Sequence, residues 1–333
     1  MKIDFVITWV DGNDPEWLKD FNKYKNNIGD TRVARYREWG TLKYLFRGFE
    51  KFTPWVNKIY FVTYGHLPNW LNINHPKLKI IKHQDFLLTE NLPVFSINPI
   101  EINLHRIEGL SEYFVYFNDD TFITAPIKSE RFFKKGLPTG TAISHIMHIG
   151  EIAHIVSNDL AIINKHFNKH KSIIKNFWKW FYPGYGLNIY RTICLFPWKV
   201  FTGFYNYHHP QPFLKSTFEE VWQKEEELLK KVSASKFRNS QDVNQYLFRY
   251  WQFAKGDFYP ISYKDSYKKS KYIEVSNYED AKEVARDLES KKFQLYCPND
   301  NLVEVNDEEY FKSLEIIIKS FDKIFPEKSE FEK

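Results

Sequence analysis

The chain has 333 residues, 43% of them hydrophobic and 27% charged, with a net charge of +5. That is enough for a large core and one or two domains; the positive balance suits an anionic ligand or an acidic surface but is too mild for a nucleic-acid binder. With no apolar run of about 18 residues, no signal-peptide pattern, and two cysteines (Cys194 and Cys297) outside any ligand spacing, the sequence reads as a reduced, cytoplasmic protein without a membrane span.

"IDFVITWV" (3–10) is a continuous apolar run of strand length, expected at the centre of a sheet covered on both faces, and it stops at the turn-forming Asp11-Gly12-Asn13-Asp14-Pro15. Residues 37–51 place Leu42, Leu45, Phe46 and Phe49 at helical spacing. Strands follow at 58–65 and 78–86, a short helix at 98–107 and a fourth strand at 113–120. Strand, helix, strand, strand, helix, strand predicts an α/β fold with a mainly parallel central sheet. Beyond it, 126–200 reads as more sheet and then helix. Within that segment "NFWKWFY" (176–182) is expected to be aromatic core, with peripheral membrane contact as the alternative. Ser216 and Glu219 form a capping-box pattern for a helix running to about Val232. Further helices are expected at 240–254, stopped by Gly256, after Ser276 and over 307–324, with a last strand at 293–297. The chain reads as one domain: an α/β half (1–125), a variable insertion (126–200), and a C-terminal half (201–333) that completes the site.

The chemistry concentrates at strand ends. "TWVDG" ends in Asp11, "FNDD" in Asp119 and Asp120, and "CPNDN" in Asn299 and Asp300. Ligands of open α/β sheets bind at those ends. Adjacent carboxylates repel and need a partner, and Mg²⁺ or Mn²⁺ takes carboxylate oxygens while bridging to phosphate. Asp119, Asp120 and Asp300 are therefore the expected metal ligands, although Asn-Asp-Asp is also ordinary turn chemistry. Arg35, Arg37, Lys43 and Arg47 lie on or before the first long helix, where guanidinium forks suit a diphosphate. His208 and His209 sit in a Pro-rich loop with Lys215 close by, and Arg238 and Asp242 lie at another helix start. Asp11, His208, His209 and Asp120 are the catalytic candidates, and Arg37, Arg47, Lys215 and Arg238 the phosphate-binding ones.

Taken together, "IDFVITWVDGNDPEW" (3–17), "RYREWGTLKYLFRGFEKFTPWVNKIYFVT" (35–63) with "LPVFSINPIEINLHRIEGLSEYFVYFNDD" (92–120), "YNYHHPQPFLKSTFEEVW" (205–222) and "LYCPND" (295–300) resemble the Stealth family of hexose-1-phosphoryltransferases. That family includes bacterial capsule and exopolysaccharide phosphotransferases and the catalytic subunit of the lysosomal-enzyme GlcNAc-1-phosphotransferase. The chain departs from the family pattern at Glu38 (usually Asp), Gly48 (usually Ser) and Phe95-Ser96-Ile97 (usually Phe-Asn-Ser). The resemblance implies a core like that of nucleotide-sugar transferases and a UDP-sugar donor. It also implies a polysaccharide or lipid-linked glycan acceptor at the cytoplasmic face of the membrane, and transfer of a sugar 1-phosphate with release of UMP. The rival that residues alone do not separate is a metal-dependent glycosyltransferase releasing UDP. A sugar-binding platform without chemistry would not need three acidic strand ends.

Overall fold

The computed structural model describes residues 1–25, 36–147, 150, 152–206 and 208–333. Its strands in chain order are β1 (Ile3–Trp9), β2 (Ile59–Thr63), β3 (Leu78–Lys82), β4 (Tyr113–Asn118), β5 (Phe122–Ile123), β6 (Phe133–Lys134), β7 (Leu137–Gly140), β8 (Gln211–Leu214), β9 (Tyr259–Pro260), β10 (Ser270–Val275) and β11 (Leu295–Asp300). The central sheet has the order β3-β2-β1-β4-β8. Its first four strands are parallel and β8 is antiparallel to β4. The α/β class with a mainly parallel sheet is thus what the chain forms. A second sheet, β10-β11-β5, and a small third, β6-β7-β9, lie beside it.

β1 is buried at every position, as its unbroken apolar run requires. Val6 packs into one core, while Phe5, Ile7 and Trp9 enter the other, the alternation that a pleated strand imposes. The one acid within it, Asp4, accepts from Asn57 Nδ2 at 2.7 Å, Lys58 N at 3.1 Å and Ser111 N at 2.8 Å. A buried carboxylate that finds three donors ties the approaches to β2 and β4 onto β1.

Helices in chain order are α1 (Pro15–Tyr24), α2 (Leu42–Phe52), α3 (Ile97–Ile102), α4 (Ala153–His166), α5 (Lys169–Lys175), α6 (Phe177–Trp180), α7 (Ile189–Leu195), α8 (Lys215–Lys224), α9 (Glu226–Ser233), α10 (Gln245–Lys255), α11 (Tyr278–Ser290) and α12 (Asp307–Ile324). Helices α3, α4, α8, α9 and α10 cover one face of the central sheet. Helices α2, α11 and α12 fill the other core together with the second sheet. Helix α2 lies so close to β5 that a Cβ at Gly48 would stand 2.5 Å from the Ile123 carbonyl oxygen. Glycine therefore permits this approach, and serine there would need the backbone to move.

Two expectations are corrected. The Ser216–Glu219 capping box does not form: α8 starts at Lys215, and Ser216 Oγ donates to Glu112 instead, at 2.5 Å. The helix also breaks at Glu225, whose carboxylate accepts from Lys165 and His166. At 240–254 the helix begins later, at Gln245, and ends as expected at Gly256, which takes the left-handed conformation (φ +92°) open to glycine.

Candidate active site

In the order β3-β2-β1-β4, the chain leaves β1 toward one side and later returns on the other, so the sheet reverses its winding between β1 and β4. Such a switch point leaves a crevice at the carboxyl ends of the two strands. Thr8 and Asn118 are paired across it. Asp11 and Asp119–Asp120 follow directly beyond them.

The acid pair occupies a tight turn, with Thr121 N donating to Asn118 O at 3.2 Å. The turn carries the chain from β4 into β5, which pairs with β11 of the second sheet. β11 supplies Cys297, Asn299 and Asp300, and β8, antiparallel to β4, brings the histidine loop alongside. Gln211 pairs with Tyr116, so His208 arrives beside the end of β4. Three separate parts of the chain therefore meet at Asp120. Its Oδ1 lies 3.6 Å from His208 Nε2, and Asn299 Nδ2 donates to its Oδ2 at 3.0 Å. Donor atoms of Asp120, His208 and Cys297 all lie within 4.8 Å of one another. The Asn118 side-chain amide nitrogen is 2.8 Å from His208 Nε2.

The electrostatics separate the two carboxylates. Burial, then the charges of Asp120 and Glu38, push Asp119 up to about 7. Burial pushes Asp120 the same way but is outweighed by His208 and by bonds from His208, Asn299 and Cys297, which hold it at about 2. At His208, burial favours loss of the proton, and the Asp120 carboxylate overcomes it and lifts the imidazole above its ordinary value. His209 is buried too, and with a cationic neighbour in His208 it is driven well below the ordinary range. Burial raises the Cys297 thiol, and Asp120 adds to the effect. A thiol that keeps its proton is a poor ligand for a hard cation. Asp119, Asp120 and Glu38 line one cleft and raise one another's affinity for positive charge, which fits Mg²⁺ or Mn²⁺. Trp9 and Trp39 also line this cleft, and Trp9 Nε1 is buried with no partner among the described residues.

The other expected site residues divide. Asp11 stands at the end of β1, accepts from Asn13 N through Oδ1 at 2.9 Å, and donates its own N–H to His66 Nε2 at 2.8 Å. Its charge reaches Glu38. Arg37 also lines the cleft, but its fork is engaged: Nε and Nη2 donate to Asp300 at 2.7 and 2.6 Å. Asp300 further accepts from Trp39 Nε1 and Leu302 N, both at 3.0 Å. Asp300 is therefore corrected from metal ligand to anchor, since its oxygens are already satisfied by a guanidinium, an indole and a backbone amide. Arg238 stands where its charge reaches Glu101 and Asp242.

Arg47 and Lys215 are corrected outright. Arg47 is buried away from the cleft and donates to Glu332 Oε1 and Oε2 and to Phe325 O, each at 2.7 Å. Lys215 N donates to Glu112 O, just before β4, so this lysine marks the end of the sheet opposite the site. Arg35 lies outside the described residues.

Glu101 was not singled out by any sequence signal. It is a buried acid on α3 that accepts from Gln245 N at 3.2 Å and is hydrogen-bonded to Tyr116, whose hydroxyl also meets Thr8 Oγ1 at 3.0 Å. Burial raises it from 4.5 to about 7, although His208 and Arg238 pull downward. Because the folded value is the higher one, Glu101 contributes stability fully below the unfolded value and loses it as pH rises through about 7. Glu101→Gln removes that titration. In denaturant melts the variant should gain on the wild type by up to about 3 kcal/mol between acid and mildly alkaline pH. A gap that stays constant with pH would sink this assignment.

Comparison with known proteins agrees with the resemblance read from the sequence. The family profiles described as Stealth protein CR1, conserved region 1, and Stealth protein CR2, conserved region 2, match residues 1–29 and 35–140. The chain is 43% identical to a capsular polysaccharide phosphotransferase WcwK of Streptococcus pneumoniae, over 100% of this chain and 98% of the relative. It is 42% identical to the receptor polysaccharide phosphotransferase WefC of Streptococcus oralis over 99% of both. It is 36% identical to the exopolysaccharide phosphotransferase cps2G of Lactiplantibacillus plantarum over 99% and 96%. Among solved structures, the galactosyltransferase LgtC in complex with donor and acceptor sugar analogues matches at a TM-score of 0.41 and 9% identity, covering 98% of each chain.

Proposed function

The chain belongs to the Stealth family, and from that premise we propose that it transfers a sugar 1-phosphate from a UDP-sugar to a hydroxyl of a capsular or other surface polysaccharide. The acceptor oxygen bonds to the β-phosphorus, the bond from that phosphorus to the bridging oxygen breaks, and UMP leaves with the bridging oxygen. The hydroxyl proton passes to the protein.

The observation that carries this reading is the acid pair at the β1–β4 switch point with His208 set against Asp120. Asp119 and Asp120 would hold Mg²⁺ or Mn²⁺, which when bound supplies positive charge against the phosphoryl oxygens. Arg37 uses Nε and Nη2 on Asp300, so Nη1 stands outside that fork and can meet the diphosphate. His208 is the preferred base. Burial disfavours its charged form, but the Asp120 carboxylate 3.6 Å away raises its affinity for a proton above the ordinary value. A cation held by Asp119 and Asp120 would offset the Asp120 charge and favour the neutral imidazole, whose Nε2 can receive the proton of the acceptor hydroxyl. Asn118, next to Nε2, orients the ring. His209 stays neutral behind it, with its carbonyl fixed by Gln211 Nε2 at 2.9 Å.

The test incubates the protein with Mg²⁺ or Mn²⁺, a panel of UDP-sugars and an oligosaccharide acceptor, and identifies the nucleotide formed. UMP, lost on chelation with EDTA, is expected. UDP in its place would make this chain a glycosyltransferase acting at the sugar carbon.

A further inference from the structure

The segment 176–182, expected to be aromatic core, is only partly so. Trp180 is fully buried, but Trp178 is 79% exposed. It does not stand alone. Ile174 on α5 is 64% exposed, Leu187 in the turn before α7 is 82%, and Tyr190 on α7 is 63%. Trp198, just after α7, is exposed as well. Leu187, Tyr190 and Ile193 recur at helical spacing, whereas Thr192 on the other side of α7 is buried. α7 thus turns Tyr190 and Ile193 outward, large apolar side chains that a surface helix ordinarily keeps toward the core.

This surface is built rigidly. The Tyr185 hydroxyl donates to Lys179 O at 2.8 Å and accepts from Ala142 N at 3.1 Å. Ser144 N donates to Thr192 Oγ1 at 3.1 Å. The buried Lys169 ammonium caps the carbonyl end of α7, donating to Leu195 O and Trp198 O. Large apolar side chains held outward on a backbone fixed by these bonds mark an interaction surface.

Charge identifies the partner. Between Asp159 and Glu219 the sequence has no Asp or Glu. Lys171, Lys175, Arg191 and Lys199 are all exposed there. Aromatic and aliphatic side chains set among exposed cations match the boundary of an anionic bilayer, where the rings enter the headgroup region and the cations meet lipid phosphate. A second copy of the chain would bring its own cations against these, and like charges facing one another disfavour that contact. We infer that α5–α7 form a docking surface for an anionic lipid bilayer. The surface leads directly to the chemistry: Trp180 stacks near Phe201, Phe201 on Phe204 and Phe204 on Tyr250, and the same chain segment runs on to His208.

Flotation of the full-length protein with vesicles tests this. Wild type should float with phosphatidylcholine vesicles doped with phosphatidylglycerol, and much less with phosphatidylcholine alone. Trp178→Ser with Leu187→Ser should weaken binding at least about ten-fold. Lys175→Glu with Lys199→Glu should abolish the preference for phosphatidylglycerol. Both sets lie on the surface, and near-UV circular dichroism together with unchanged turnover of a soluble acceptor confirms that they fold. Wild type that fails to float with the anionic vesicles overturns the inference. So does a dimer in sedimentation velocity that the Trp178→Ser, Leu187→Ser variant dissolves, which would give the surface to a second copy.

Discussion

Asp120→Asn is expected to lower kcat by about a thousand-fold or more while leaving the fold intact. The side chains are nearly isosteric, and the introduced amide could keep its oxygen toward Asn299 Nδ2, now 3.0 Å from Asp120 Oδ2. What disappears is the charge, and the charge acts twice. It is half of the acid pair that would hold the divalent cation, and it is the group that keeps a proton on His208 against burial. Without it, His208 should titrate below its wild-type value, which the imidazole resonances in NMR would report independently of turnover. Asp119 should move as well, in the opposite sense from a site that gains a charge: relieved of its neighbour, it ionises more easily than at about 7. Activity within ten-fold of wild type, or an unmoved His208, would remove Asp120 from the centre of this site.

Arg47→Ala is expected to destabilise the protein by about 3–5 kcal/mol without raising KM for the donor. The Arg47 and Glu332 side chains are 9% and 4% exposed, and their two-pronged contact fastens the C-terminal segment to α2. Glu332 also accepts from Ser329 N at 2.9 Å. Removing one partner leaves a buried charge without its counter-ion, which is the source of the loss. Replacing both with apolar side chains of similar size should recover much of it, since the pair and its desolvation nearly cancel. Denaturant midpoints of the two single variants and the double replacement check this. A raised KM at full stability would return Arg47 to the substrate site, where its sequence neighbourhood first put it.

The contrast between these two residues shows what the sequence makes legible. A long apolar run that ends in carboxylates has few structural uses, so "FVYFNDD" pointed to its own position at a strand end. The parallel sheet was legible for the same reason: β1 and β4 are continuous apolar runs, and such runs need cover on both faces. Arginines carry no such signal. Arg37 and Arg47 stand ten residues apart in one segment, yet one borders the cleft and the other clamps a tail more than two hundred residues away in sequence. Only tertiary partners separate them. Glu101 was silent because a lone acid in "NPIEINLH" resembles any helix surface, and its role comes from β4 and α10 closing over it. Cys297 was silent too: what matters is that β11 lies against the acid turn, a pairing between β5 and β11 that no local pattern encodes. Trp178 misled for the opposite reason, since in composition an aromatic cluster left exposed and one packed in a core look alike.

The acid turn has a mechanical meaning. β4 ends at Asn118 and β5 begins at Phe122, so only Asp119, Asp120 and Thr121 span the step from the central sheet to the second one. Three residues have no slack. The two sheets cannot separate or slide at this point without dragging the carboxylates along, and the width of the gap between them is fixed by a covalent tether rather than by side-chain fit. A ligand of unusual bulk must then be accommodated along the outer walls of the cleft, while the acid pair keeps its place between the two sheets. The joint behaves as a gauge block: the periphery can be retooled for new sugars, and the cutting edge keeps its setting.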